Sequence, residues 1–227
     1  LGRLGWPDGP VLMVGNDAER DLAPAQALGL ATFWINTGSL DESDLQATSR
    51  GSLDDLRNWL DGVDLKQLEP NYKTRTSILA LMTAAPASIA DLMEELPIES
   101  WAVRPKPGEW SLVEVLCHLR DTEREVNQPR LQRLRNEEEP FIPARSTDEW
   151  ADERGYIRQD GRMAYKDYLA ARLETLKTLN ALSLADWNRR ARHSIFGPTT
   201  LLEMIGFMAT HDRIHIQQIW KLLHPSF

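Results

Sequence analysis

T-H-D-R-I-H-I-Q-Q, Thr210–Gln218, sets two histidines, His211 and His215, four residues apart. In a helix that spacing stacks the two side chains on one face. Steps of four and three extend the stripe to Met204, Met208, His211, His215, Gln218 and Leu222. The residues flanking the pair are apolar, so the stripe faces a core and the imidazoles face inward with it. A buried ring nitrogen without a partner is costly. Either neighbouring side chains hydrogen-bond each ring or a metal ion joins them, and the spacing alone leaves both readings open.

Working outward, the helix carrying this pair spans about 199–223. Upstream, Ser111 and Glu114 form the S-x-x-E signature of a capping box, and the helix it opens runs from Leu112 to about Asn136, past a bend at Pro129. A helix at about 162–182 has Tyr165, Leu169, Leu173 and Leu176 along one stripe, and another at about 74–96 contains Pro86, where a kink or restart is expected. No strand is expected after Asn71. Four helices with apolar faces and no strands predict a four-helix bundle. Two long connections join them: 140–161, with Trp150 and Tyr156, is expected to cover a site, and another carries Trp187 and the basic run R-R-A-R-H.

Five histidines are present, and three of them, His118, His211 and His215, fall on helices that can share one interior. Two ligands from one helix and one from a facing helix build a metal site in a bundle. Three imidazoles leave a fourth position for water or substrate, as catalytic zinc sites do, and they also suit nickel or iron. Asp121 and Thr122, three and four residues after His118, share its face and are candidates to orient a ligand or a bound water. Gln218 lies on the histidine stripe, and Trp110 is placed to roof the site. Cys117 reads as a small core residue, and His224 as remote. His193 sits in the basic loop R-R-A-R-H, which reads either as a hold for an anionic substrate near the metal or, more often for such a run, as a solvated loop. Glu123 and Asp212 are rotated away and receive no role.

The 227 residues suit one large or two small domains. A hydrophobic content of 42% with 26% charged residues is that of a globular protein. No apolar run is seen that approaches the length needed to span a bilayer, nor any secretory signal. A single cysteine excludes an internal disulfide and fits a reducing cytoplasm. The net charge of −8 argues against nucleic acid as the main partner. Residues 1–70 hold 12 acidic and 5 basic residues, and the remainder 22 and 21. That shift predicts two modules, 1–70 and 71–227. A start at Leu1 suggests the remainder of something longer.

In the first module Val11–Val14 reads as a buried parallel strand, Ala31–Ile35 as a second, and Leu53–Leu60 as a helix capped by Ser52. The stretch V-L-M-V-G-N-D-A-E-R-D-L-A-P-A-Q-A-L-G-L-A-T-F-W-I resembles the last part of a haloacid-dehalogenase-type (HAD) hydrolase domain. The resemblance implies that Asp17 and Asp21 are what is left of a Mg²⁺ site, hard oxygens being what Mg²⁺ prefers. The D-x-D nucleophile motif of that family is missing, so no phosphatase activity is expected.

In the second module, W-S-L-V-E-V-L-C-H-L-R-D-T-E at 110–123 and F-G-P-T-T-L-L-E-M-I-G-F-M-A-T-H-D-R-I-H-I-Q-Q-I at 196–219 resemble the DinB/YfiT-like superfamily. The resemblance implies a mainly α protein, a four-helix bundle preceded by a truncated α/β segment, with His118, His211 and His215 binding a divalent metal. It further implies a homodimer acting on a small molecule, as a hydrolase or as a transferase using a low-molecular-weight thiol. No catalytic side chain is assigned. The competing expectation is a non-catalytic metal-binding or oligomerisation module.

Overall fold

A computed structural model describes residues 1–35 and 47–224. Its contacts separate two compact units, Pro7–Leu81 and Leu1–Trp6 with Met82–Phe227, so the division falls inside a helix, about eleven residues beyond the charge shift.

In the first unit three parallel strands, β1 (Leu12–Gly15), β2 (Ala31–Ile35) and β3 (Ser49–Gly51), pair in that order. A π turn at Ala18–Leu22 running into α1 (Ala23–Ala27) connects the first two. Gly29 follows at φ +81°, where a Cβ would lie 2.2 Å from the carbonyl oxygen of Asn71, so both the backbone angle and the close approach require glycine. Helix α2 (Leu53–Leu60) opens with a reciprocal cap between Ser52 and Asp55. The core holds Leu22 and Phe33, with Trp59 tilted against Phe33 at 5.5 Å.

The first six residues, expected with the acidic module, belong instead to the second unit. Trp6 is 1% exposed, its carbonyl accepts a hydrogen bond from Gln217 Nε2 at 2.9 Å, and the Arg3 carbonyl accepts from Trp220 Nε1 at 3.1 Å. The bundle is built from α3 (Arg75–Glu95), α4 (Leu112–Thr122), α5 (Gln128–Asn136), α6 (Trp150–Glu153), α7 (Gly161–Asn180), α8 (Leu184–Trp187) and α9 (Leu201–Leu223). A π turn at Glu123–Asn127 joins α4 to α5, so the long second helix is continuous.

Prolines lie inside α3 and at the start of α5, and neither ends a helix. A proline cannot donate to the carbonyl four residues before it. Met82, four before Pro86, has its carbonyl served by Arg172 Nη1 at 3.4 Å, and Glu125, four before Pro129, by Arg145 Nη1 at 2.9 Å. Arginines from elsewhere in the chain thus replace the missing donors. By length and composition α3 is apolar enough to cross a membrane, contrary to the expectation that no run comes near. A core helix has the same composition, and half of that apolar stretch is buried inside the fold.

Two further expectations are corrected. The bundle unit contains a small sheet: β4 (Phe141–Ile142) pairs in parallel with β5 (Arg190–His193), which pairs antiparallel with β6 (Gly197–Thr200). The basic run is therefore a strand with Ala191 and His193 buried and Arg190 and Arg192 exposed, turning back through Gly197 at φ +73°. On α7 the inward face shares only Leu176 with the expected leucine stripe. It is Ala164, Tyr168, Ala171, Arg172, Thr175, Leu176 and Leu179, while Leu173 is 56% exposed.

Candidate metal centre

Ser111 and Glu114 start α4 with the expected reciprocal cap, and Arg104 clamps the buried Glu114 carboxylate through Nε at 3.0 Å and through Nη2. This fixes the entry of the helix two turns before His118. Thr200 and Glu203 cap α9 in the same way. Between these helices the three histidines meet. His118 Nε2 is 3.0 Å from His211 Nε2, which is 3.1 Å from His215 Nε2, and all three lie within 4.8 Å of one another. His118 and His215 are buried, and His211 is half-buried.

Hydrogen bonds alone do not satisfy this cluster. A neutral imidazole nitrogen is either donor or acceptor. His215 Nδ1 sits 2.9 Å from Gln218 Oε1 and donates to it, which leaves His215 Nε2 as a lone pair. One proton on His211 Nε2 serves one of its two neighbours, and buried His118 Nδ1 has no partner among the described residues. Three converging nitrogen lone pairs suit a cation, and this donor set fits Zn²⁺, Ni²⁺ or Fe²⁺. The rings are also in the protonation state that a metal requires. Burial pushes His118 down to about 2, His215 to about 3 and His211 to about 4. Neighbouring imidazoles add to the effect for His118 and His215, and Arg172 adds to it for His211.

Around the cluster, Thr122 Oγ1 lies 3.4 Å from His118 Nε2. Trp110 stacks on His215, 6.1 Å between centroids and 5° between planes, and tilts against His118 at 4.8 Å. Asp121 is engaged elsewhere. It accepts from Arg120 Nε at 2.6 Å, Arg154 Nη1 at 2.8 Å and Tyr156 Oη at 2.7 Å, so it holds the 140–161 connection against α4. Asp121→Asn is accordingly expected to lower unfolding stability by about 2 kcal/mol with metal content unchanged, read from urea unfolding and elemental analysis side by side. Cys117 is fully buried, and burial pushes its thiol up to about 11, which suits a core residue and not a nucleophile. His224 stacks on Trp220. Asp17 and Asp21 accept backbone N–H groups at their own turn, from Glu19 and Arg20 in one case and from Asn16 and Asp17 in the other.

Sequence reasoning gave no role to the groups directly behind the cluster. Arg172 of α7, 1% exposed, binds Glu123 through Nε (3.1 Å) and Nη2 (2.9 Å), and binds Asp212 through Nη1 and through Nη2 (3.0 Å). Asn127 Nδ2 adds a bond to Glu123 at 2.9 Å. Burial opposes ionisation of Glu123, yet Arg172 holds its carboxyl below the usual range, whereas burial leaves Asp212 raised. Two carboxylates against one guanidinium carry a formal charge of −1 next to three neutral imidazoles, a balance that favours a cation there. A polar stripe on α7 facing two acidic residues on other helices was the available signal.

On the other side a cleft of about 200 Å³ opens, with His211 and Thr122 in its wall. The cluster is thus reached from this cleft at His211, while His118 and His215 are buried.

Comparison with known proteins agrees with the bundle fold. The solved structure of YfiT from Bacillus subtilis, described as a probable metal-dependent hydrolase with an unusual four-helix bundle topology, is similar with a TM-score of 0.61 and 18% identity. The match covers 68% of this chain and 89% of that one. No curated protein matches the chain. Nothing in these comparisons supports the haloacid-dehalogenase resemblance of the first module, although its strands are present. The DinB superfamily model matches residues 81–219, a span that holds α4, most of α9 and all three histidines. The chain belongs to the DinB superfamily.

Proposed function

We propose that this protein is a metal-dependent enzyme that hydrolyses a small substrate or transfers a thiol to one, with His118, His211 and His215 as the metal ligands. The observation that carries the reading is the convergence of three neutral imidazole Nε2 atoms from two helices, all within 4.8 Å of one another. The chemistry supplied by such an ion is Lewis acidity, which lowers the pKa of a water or thiol at its open position. The chain's own residues prepare that chemistry. Gln218 fixes the tautomer of His215 and so points its lone pair inward. Trp110 covers His215 and His118, and the cleft brings substrate to the His211 and Thr122 side.

A cluster that merely fastened α4 to α9 calls for a fourth protein ligand. Among the described residues the cluster holds three, and this supports the enzyme reading. The test is elemental analysis of tag-free protein with His118→Ala and His215→Ala variants. About one metal per chain is expected in the parent and almost none in either variant, with helical circular dichroism retained. A parent that stays empty after incubation with zinc, nickel and iron would sink the proposal.

A further inference from the structure

The cleft beside the cluster has an unusual charge for a protein of net −8. Arg130 and Arg145 line it, and no carboxylate does. Arg145 shares Glu125 with Arg154. Among the described residues Arg130 has only the carbonyl of Pro143, at 3.2 Å, as a hydrogen-bond acceptor, which leaves most of its five donors for a ligand. Burial and the adjacent Arg145 push its pKa down, the direction expected of a guanidinium crowded by another cation with no anion to offset it.

His193 also lines this cleft. It is 5% exposed, and its Nδ1 accepts the backbone N–H of Ile195 at 3.2 Å and of Phe196 at 3.4 Å. With Nδ1 held as acceptor, the neutral ring carries its proton on Nε2. Apolar walls from Phe207 and Met208 complete the cleft and lead to His211.

From this juxtaposition we infer that the substrate is a small amphipathic carboxylate, its oxyanion held by Arg130, Arg145 and the Nε2–H of His193 and its apolar body lying along Phe207 and Met208 toward His211. The inference deepens the proposed function and rests on it, because the same cleft delivers the substrate to the metal ligands. Paired guanidinium donors match a carboxylate in shape as well as charge. A volume of about 200 Å³ lies below that of sites for drug-sized ligands, so the molecule is small. The arginines of the basic run do not take part: Arg189 bonds the carbonyls of Leu134 and Glu137, and Arg190 and Arg192 are exposed on β5.

Hexanoate and its neutral isostere hexanamide are suitable probes, titrated by NMR into the full zinc-treated chain. Hexanoate is expected to bind at least about tenfold more tightly than hexanamide, as a charge-assisted pair implies, and this preference is expected to weaken with salt. Arg130→Gln removes most of the preference and Arg130→Lys restores part of it. The His215→Ala chain separates the two readings. A preference that survives His215→Ala and is lost in Arg130→Gln supports the anion site, even if no metal is found. A preference lost in His215→Ala and kept in Arg130→Gln means that the carboxylate binds the metal, which overturns the inference and leaves the proposed function standing. Equal binding of the two probes, or none, overturns it as well. If Arg130→Gln does not fold, Arg145→Gln and the salt dependence of the parent decide the same question.

Discussion

Replacing Arg172 by leucine is expected to cost the fold about 3–5 kcal/mol, because it leaves two carboxylates buried without their counter-charge. Glu123 and Asp212 are 0% and 1% exposed, and water does not reach them to compensate. The carbonyl of Met82, already deprived of a donor by Pro86, loses Arg172 as well. Against a typical domain stability of about 5–15 kcal/mol the loss takes roughly a fifth or more, and urea unfolding followed by circular dichroism measures it. The triple variant Glu123→Leu, Arg172→Leu, Asp212→Leu is expected to recover much of the loss, since removing a whole buried ionic group costs far less than breaking it. A single variant within about 1 kcal/mol of the parent would mean that Arg172 does not hold α4, α7 and α9 together.

The same residues show where the sequence stops being legible. The histidine cluster was readable because each part of it is local: an i, i+4 pair on α9 and a capping box that fixes the phase of α4 seven residues before His118. Periodicity then turns both faces inward. Arg172 lies 49 residues from Glu123 and 40 from Asp212, so only the packing of three helices shows that they meet. Hydropathy was misleading as well, because it selected Leu173 for the core of α7 when the core wanted Arg172 and Thr175. Asp121 has the correct phase to face the metal ligands, but Arg154 and Tyr156, from a connection with no regular period, take its oxygens. The little sheet escaped for a similar reason: Arg190 and Arg192 are poor strand residues, and their alternation with Ala191 and His193 is only four residues long.

Metal affinity in this protein is expected to hold nearly constant from pH 7 to pH 5, where ordinary histidines would lose it. Metal and proton compete for the same lone pair. Three imidazoles at the usual 6.5 would each be about 97% protonated at pH 5, weakening a three-histidine site by about 10⁴-fold. With His211 depressed to about 4 and His215 and His118 lower still, all three rings remain neutral at pH 5, and competition sets in only as the pH falls through 4. The metal-free protein bears the cost of that depression. Below pH 6.5 the unfolded chain takes up protons on these rings that the folded chain refuses, so stability is full above 6.5 and falls as acid is added down through the folded values. Zinc titrations in a competing chelator at pH 7, 6 and 5, corrected for the chelator's own protonation, measure the first effect, and unfolding midpoints of the metal-free chain over the same range measure the second. A zinc affinity that drops by several orders of magnitude between pH 7 and 5 would show that the rings titrate like solvent-exposed imidazoles, and the burial that sets them up as ligands would then have to be abandoned.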